Sequence, residues 1–181
     1  MKTPKTPRLS SISQIAQTDE TVSRAKDQAL RLMKRIPVDE LLDELSNMQS
    51  SRYVRGLSAN DVVADQGKRL NEASLQSIAY RARAVEIKMR VVRVIMQVKD
   101  GIDAAQNYVK YTHREAVAAA ARTQADRNAL VRSLFETQIR KIGRLESIIT
   151  VADLVIDDLD QCSWGLRRIT DVVIKMNDVK H

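Results

Sequence analysis

The stretch IGRLESIITVADLVIDDLDQCSWGLRRITDVVIKM, running from Ile142 to Met176, decides the fold class. Its apolar residues fall at Ile142, Leu145, Ile149, Ala152, Val155 or Ile156, Leu159, Cys162, Leu166, Ile169, Val173 and Met176. Steps that alternate between three and four bring all of them to one side of an α-helix. Held over roughly five heptads, the pattern predicts a seam about 50 Å long that needs another helix beside it. Apart from Cys162, the seam carries no nucleophile and no metal ligand. It speaks for association between helices and against catalysis.

The rest of the composition agrees. Hydrophobic residues make up 44% of the 181, yet aromatics only 3%, with one Trp and one Phe. Globular cores lean on aromatic side chains for buried area. Here Ala, Val, Ile and Leu must supply it, which suits narrow helix–helix seams better than a deep ligand pocket. The three prolines, Pro4, Pro7 and Pro37, all lie early, so nothing from Val38 to His181 forbids a helix outright. The expected fold is all-α: an elongated antiparallel helical hairpin or coiled coil, preceded by two short helices and a disordered basic arm. The chain is long enough for one domain, divided here into an arm at 1–19, two amphipathic helices at 20–50, a linker at 51–60 and the hairpin at 61–181.

Met1–Gln17 carries two Thr-Pro pairs with Lys2, Lys5 and Arg8, and reads as an extended arm. It lacks the apolar run of a secretory signal peptide. In composition, its Ser, Thr, Ile and Gln content is similar to the leaders of bacterial type III secretion substrates. Thr18 or Asp19 can cap a first helix whose stripe is Val22, Ala25 or Lys26, Ala29, Leu32 or Met33 and Ile36. Pro37 ends it and suits the first turn of the next helix, where Asp39 and Glu40 favour the positive end. Val38, Leu41, Leu42, Leu45 and Met48 form that short acidic helix. Gly56, among polar neighbours in Ser50–Asn60, marks the linker.

From Asp61 onward a helical stripe runs through Leu70, Ala73, Ser77 or Ile78, Ala82, Val85, Met89, Val92 and Met96, then passes to Ile95, Val98, Ile102, Ala105 and Val109. Ala116–Ala121 is nearly all alanine and 122–128 is polar throughout, with Asp126 placed to cap a new helix. Three arrangements compete: one rod from 61 to about 178, a bend at Gly101, or a hairpin turning near 121–128.

Charge separates them. The net charge of +7 is uneven: residues 66–99 sum to +6, 145–161 to −5, 1–36 to +5 and 37–50 to −4. Folding about residue 122 lays the basic 81–99 block along the acidic 146–160 block, with position 90 beside 154. Complementary flanks of this kind choose register between antiparallel helices. The expectation is therefore helices at about 20–36, 38–49, 61–121 and 127–178, the last two antiparallel.

Little in the chain invites chemistry. Cys162 on the seam reads as a small hydrophobe, and a single cysteine excludes an internal disulfide. His113 has only Glu115 nearby, on another face. Asp153, Asp157 and Asp160 share a helical face without an accompanying histidine, so they read as a salt-bridged surface. No catalytic residue, metal site or cofactor is expected. Nor does any run reach the roughly 18 apolar residues of a membrane span.

The expected function is that of a non-catalytic interaction or assembly protein, a homo-oligomer or the partner of another helical protein. Its self-association seam would comprise Ile142, Leu145, Ile149, Ile156, Leu159, Leu166, Ile169 and Val173. A second reading takes Arg81, Arg83, Lys88, Arg90 and Arg93 as a stripe that neutralises phosphates, in a protein that binds or packages nucleic acid. The absence of interleaved aromatics opposes stacking on single-stranded bases. A third takes the arm as an export signal of a secreted bacterial effector or translocator. The expected location is the cytoplasm or a macromolecular assembly, or outside the cell by a route without a signal peptide.

Overall fold

In a computed structural model, which describes residues 12–51, 57–65 and 67–178, the chain is all-α. Among the described residues the helices are α1 (Ile12–Thr18), α2 (Glu20–Met33), α3 (Val38–Ser50), α4 (Ala59–Ala64), α5 (Lys68–Thr112), α6 (Arg114–Ala120), α7 (Gln124–Ser133) and α8 (Glu136–Asp178). The arm up to residue 11 and most of the linker, 52–56, lie outside the described residues. The last part of the expected arm differs from its reading. Ile12–Thr18 is helical because Ile12 and Ile15, one turn apart, are both buried.

Local chemistry accounts for the helix ends. Asp19 caps α2, its carboxylate accepting the Val22 N–H at 3.1 Å, and Glu20 occupies the first turn. Pro37 separates α2 from α3. Ser58 and Asp61 form a reciprocal capping box on α4, which the sequence left inside one long helix. After Asp65 the chain reverses through Gly67 at φ +78°, its N–H donating to the Val62 carbonyl at 2.8 Å, and α5 begins. A side chain is strained in that left-handed conformation, so glycine is the residue that fits. Gly101, by contrast, lies within α5 without interrupting it. The turn falls at Ala121–Thr123, with Ala121 extended. Thr123, rather than Asp126, caps α7: its Oγ1 accepts the Asp126 N–H at 3.1 Å. Two tight three-residue hydrogen bonds at Leu134 and Phe135 then close α7 and open α8.

Packing divides the chain into two compact units, Met1–Ile36 with Arg93–Arg144, and Pro37–Val92 with Leu145–His181. In the first, α1 packs on α2 and on α6, and α6 on α7. Its core holds Val22, Ala29 and Met33 of α2, Ile95, Val98, Ile102, Ala105 and Val109 of α5, and Phe135, Gln138 and Ile142. The Lys26 ammonium sits 5.8 Å from the centre of the Phe135 ring, a cation–π contact. Burial there lowers the Lys26 pKa.

In the second unit α5 and α8 run antiparallel. Ser77 meets Ser163, Arg81 meets Asp160 and Lys88 meets Asp153, so one number rises as the other falls. This is the hairpin that the charge blocks predict, and it puts 90 within one helical turn of its expected partner. Helix α3 lies against α5, where Arg83 reaches Glu44 and Gln76 donates to the Ser51 carbonyl at 3.1 Å. The core comprises Leu41, Leu45 and Met48 of α3, Val62 of α4, Ala73, Ala84, Ile87 and Val91 of α5, and Leu145, Ile148, Ala152, Val155, Leu159 and Leu166 of α8.

One stripe is out of phase with the sequence reading. On α5 the buried residues are Ala73, Ser77, Ala84, Ile87, Val91 and Ile95, whereas Met89 and Met96 are 54% and 59% exposed. Ala82 is exposed and Val85 and Val92 are half-buried. The stripe through 82, 85, 89, 92 and 96 has helical spacing, but another equally regular stripe carries the core.

Candidate interaction surface

Three basic residues of α5 flank its buried face. Arg81 donates from Nε and Nη2 to the two carboxylate oxygens of Asp160 at 2.7 and 3.3 Å, and Lys88 Nζ donates to Asp153 at 2.6 Å. On the other border Arg83 forms a bidentate pair with Glu44, at 2.7 and 3.1 Å, and reaches Glu86 at 2.9 Å. Hydrogen bonding, reinforced by charge, raises the Arg81 and Arg83 pKa values and lowers those of Asp160 and Glu44. Each of these side chains is a third or more exposed, so the pairs choose register more than they add stability. Of the five cations in the predicted polyanion stripe, Arg81, Arg83 and Lys88 thus have carboxylate partners within the fold. Arg90 and Arg93 are exposed.

The seam residues take up a different role from a free face. Ile142, Leu145, Leu159 and Leu166 are buried, and Ile149, Ile156, Ile169 and Val173 half-buried. At two steps the neighbouring residues, Ile148 and Val155, are the deeper ones at 0% exposure. Half of this seam is thus buried within the chain and half is partly exposed.

A polar cluster that sequence reading missed joins α2 to the end of α5. Asp19 accepts hydrogen bonds from His113 Nε2 at 2.8 Å and from the Tyr108 hydroxyl at 3.3 Å, in addition to its capping bond. Burial alone would raise the Asp19 pKa; the bonds from His113, Val22 N–H and Tyr108, with the His113 charge, outweigh it and hold the carboxyl below its usual range. Asp19 and His113 are 94 positions apart, so no local pattern announces them. The cluster is a clamp: Asp19's bonds tie the start of α2 to the end of α5.

Among the described residues no group of three His, Cys, Asp or Glu side chains has the geometry to hold a metal ion. Asp153, Asp157 and Asp160 share one face of α8, two of them in the ion pairs above. Cys162 is a half-buried thiol outside any disulfide. No described helix is long and apolar enough to cross a membrane.

Leu75, Ile78, Ala82, Val85, Met89 and Val92 follow one another at three and four along the outer face of α5, with Leu75 and Ile78 60% and 64% exposed. Trp164, 66% exposed, follows Ser163, whose hydroxyl is 3.4 Å from that of Ser77; Ile78 follows Ser77. Compared with protein-family models, curated proteins and solved structures, the chain matches none.

Proposed function

We propose that the protein is a non-catalytic helical interaction protein that works by self-association. The observation that carries the reading is that α5 holds two apolar stripes, one buried in the fold and one that leaves Leu75, Ile78 and Met89 more than half exposed. Single exposed hydrophobic residues are ordinary on any surface; a row of them at helical spacing is a contact strip. Half of the α8 seam is buried within the chain and half is partly exposed, so the outer face of α5 offers the more open surface for association. The alternative of nucleic-acid binding has less support, because Arg81, Arg83 and Lys88 would have to leave carboxylates to meet phosphates.

Sedimentation across a range of protein concentrations, at low and high salt and with and without added DNA, tests the reading. The expected result is a mass above the 20.4 kDa of one chain that grows with concentration and ignores DNA. A mass of one chain throughout refutes self-association. Binding to DNA that weakens steeply with salt would restore the polyanion reading.

A further inference from the structure

The clamp at Asp19 bears on a break that the local sequence does not ask for. From Ile102 to Ala121 the chain holds neither proline nor glycine, and four of the seven residues of α6 are alanine. Such a stretch favours one continuous helix. Instead α5 stops at Thr112 and α6 starts at Arg114. The interruption is confined to His113, at φ −111° and ψ 30°, against about −63° and −42° in a helix. Both of its backbone groups still make bonds of helical spacing. The His113 N–H donates to the Val109 carbonyl at 2.9 Å, and the His113 carbonyl accepts the Val117 N–H at 3.0 Å.

We propose that His113 is a one-residue hinge and Asp19 the latch that keeps it bent, so that withdrawing Asp19 lets α5 and α6 join into one helix and frees α1. The device is independent of the self-association above. One carboxylate oxygen of Asp19 accepts both the His113 Nε2 bond, at 2.8 Å, and the Tyr108 hydroxyl bond, at 3.3 Å. The two rings meet edge-on with their centres 6.2 Å apart. Tyr108 and His113 are five positions apart, and a straight helix would turn them about 140° from one another, away from a shared acceptor. The closed latch and the straight helix therefore exclude each other. Local propensity favours one state and the tertiary bonds the other, which is what a two-state element requires.

Little else holds α6 in its place. Val117 is its one buried residue. Helix α6 packs on α1, whose Ile12 and Ile15 are buried, and α1 packs in turn on α2. Asp19 stands between α1 and α2, its N–H donating to the Ile15 carbonyl at 3.0 Å, so the latch lies where the docking of α1 is decided. A change of backbone angle at a single residue at the end of an element is how hinges commonly work.

Backbone chemical shifts and amide exchange of the full chain test the hinge. Asp19→Ser keeps a capping oxygen for α2 and has no second one for His113. His113→Phe keeps an aromatic ring beside Tyr108 and loses the bond. In both variants the Cα shift at position 113 is expected to move into the helical range with total helicity retained. The amides of α1 are expected to exchange about tenfold faster or more. A position 113 that stays outside the helical range in both variants overturns the hinge. Unchanged exchange in α1 overturns the coupling to that helix. Loss of helical shifts in α6 also refutes the inference, because a clamp that merely stabilises would let the helix end fray where a hinge extends it.

Discussion

Ile87 and Ile78 are the same residue type on the same helix, and they face opposite ways. Ile87 is 1% exposed and Ile78 64% exposed. Replacing Ile87 with Ala removes three carbons from the core, about 2.4 kcal/mol of transfer free energy at ~0.8 per methylene. The cavity left behind brings the expected loss to about 3–4 kcal/mol. At Ile78 only about a third of the side chain is covered, so the transfer loss is about 0.8 kcal/mol. Alanine's better helix propensity returns a few tenths, leaving a loss of roughly 0.5 kcal/mol. Urea unfolding followed by far-ultraviolet circular dichroism, on protein diluted below its association range, reads the difference directly. With a slope of about 2 kcal/mol per molar, the midpoint should fall by roughly 1.5–2 M for Ile87→Ala and by about 0.25 M for Ile78→Ala. Equal losses, or a larger loss at Ile78, would mean that the stripe through 78, 82, 85 and 89 carries the core. The outer strip, and the association built on it, would then fall together.

Two glycines should respond to alanine with opposite signs in the same assay. At Gly67, φ +78° strains any side chain and Gly67→Ala should cost about 1 kcal/mol. At Gly101, inside α5 with nothing within 4 Å of an added Cβ, Gly101→Ala should gain about 0.5–1 kcal/mol; equal signs would contradict the backbone assignments. Asp19 titrates below its ordinary 3.8 in the fold, so its stabilising contribution is complete above that value and is lost as pH falls through the folded one. Acid melts should therefore show the native protein losing stability below about pH 4 faster than Asp19→Asn does; parallel curves would remove the clamp from the account. Lys88→Glu or Asp153→Lys alone should destabilise slightly, by less than about 1 kcal/mol, and the two together should recover part of the loss. Additive losses would mean that the pair contributes nothing to register.

The antiparallel helices were legible because two signals agreed: a long apolar period and charge blocks of opposite sign at matching distances from the turn. Arg81 with Asp160 and Lys88 with Asp153 are the pairs that such blocks imply. The breaks were harder to see. Gly67 is a lone glycine among polar residues, and only its positive φ makes it a terminator. At His113 the helix ends in Tyr-Thr-His, none of which is a breaker. There the clamp from Asp19, on a distant helix, accompanies the break, and tertiary contacts of that kind leave no local trace.

The outer strip of α5 was hidden for a different reason. Two rows on that helix, one through Ala84, Ile87 and Val91 and one through Ala82, Val85 and Met89, both satisfy the helical period, so periodicity cannot say which is inside. The charged residues can. Arg83 turns to Glu44 on α3, while Arg81 and Lys88 turn to α8. The sector of the helix between those two borders must face both neighbours, and Ala84, Ile87 and Val91 occupy it. Ala82 and Met89, both exposed, and half-buried Val85 lie across the axis from that sector. Reading this from sequence would require knowing that acidic α3 lies along α5 in the register that pairs Glu44 with Arg83. The block sums show only that a partner of opposite sign exists. The apolar row left exposed on α5 is thus fixed by a pairing between short-range charges that composition announces and only the packed fold assigns.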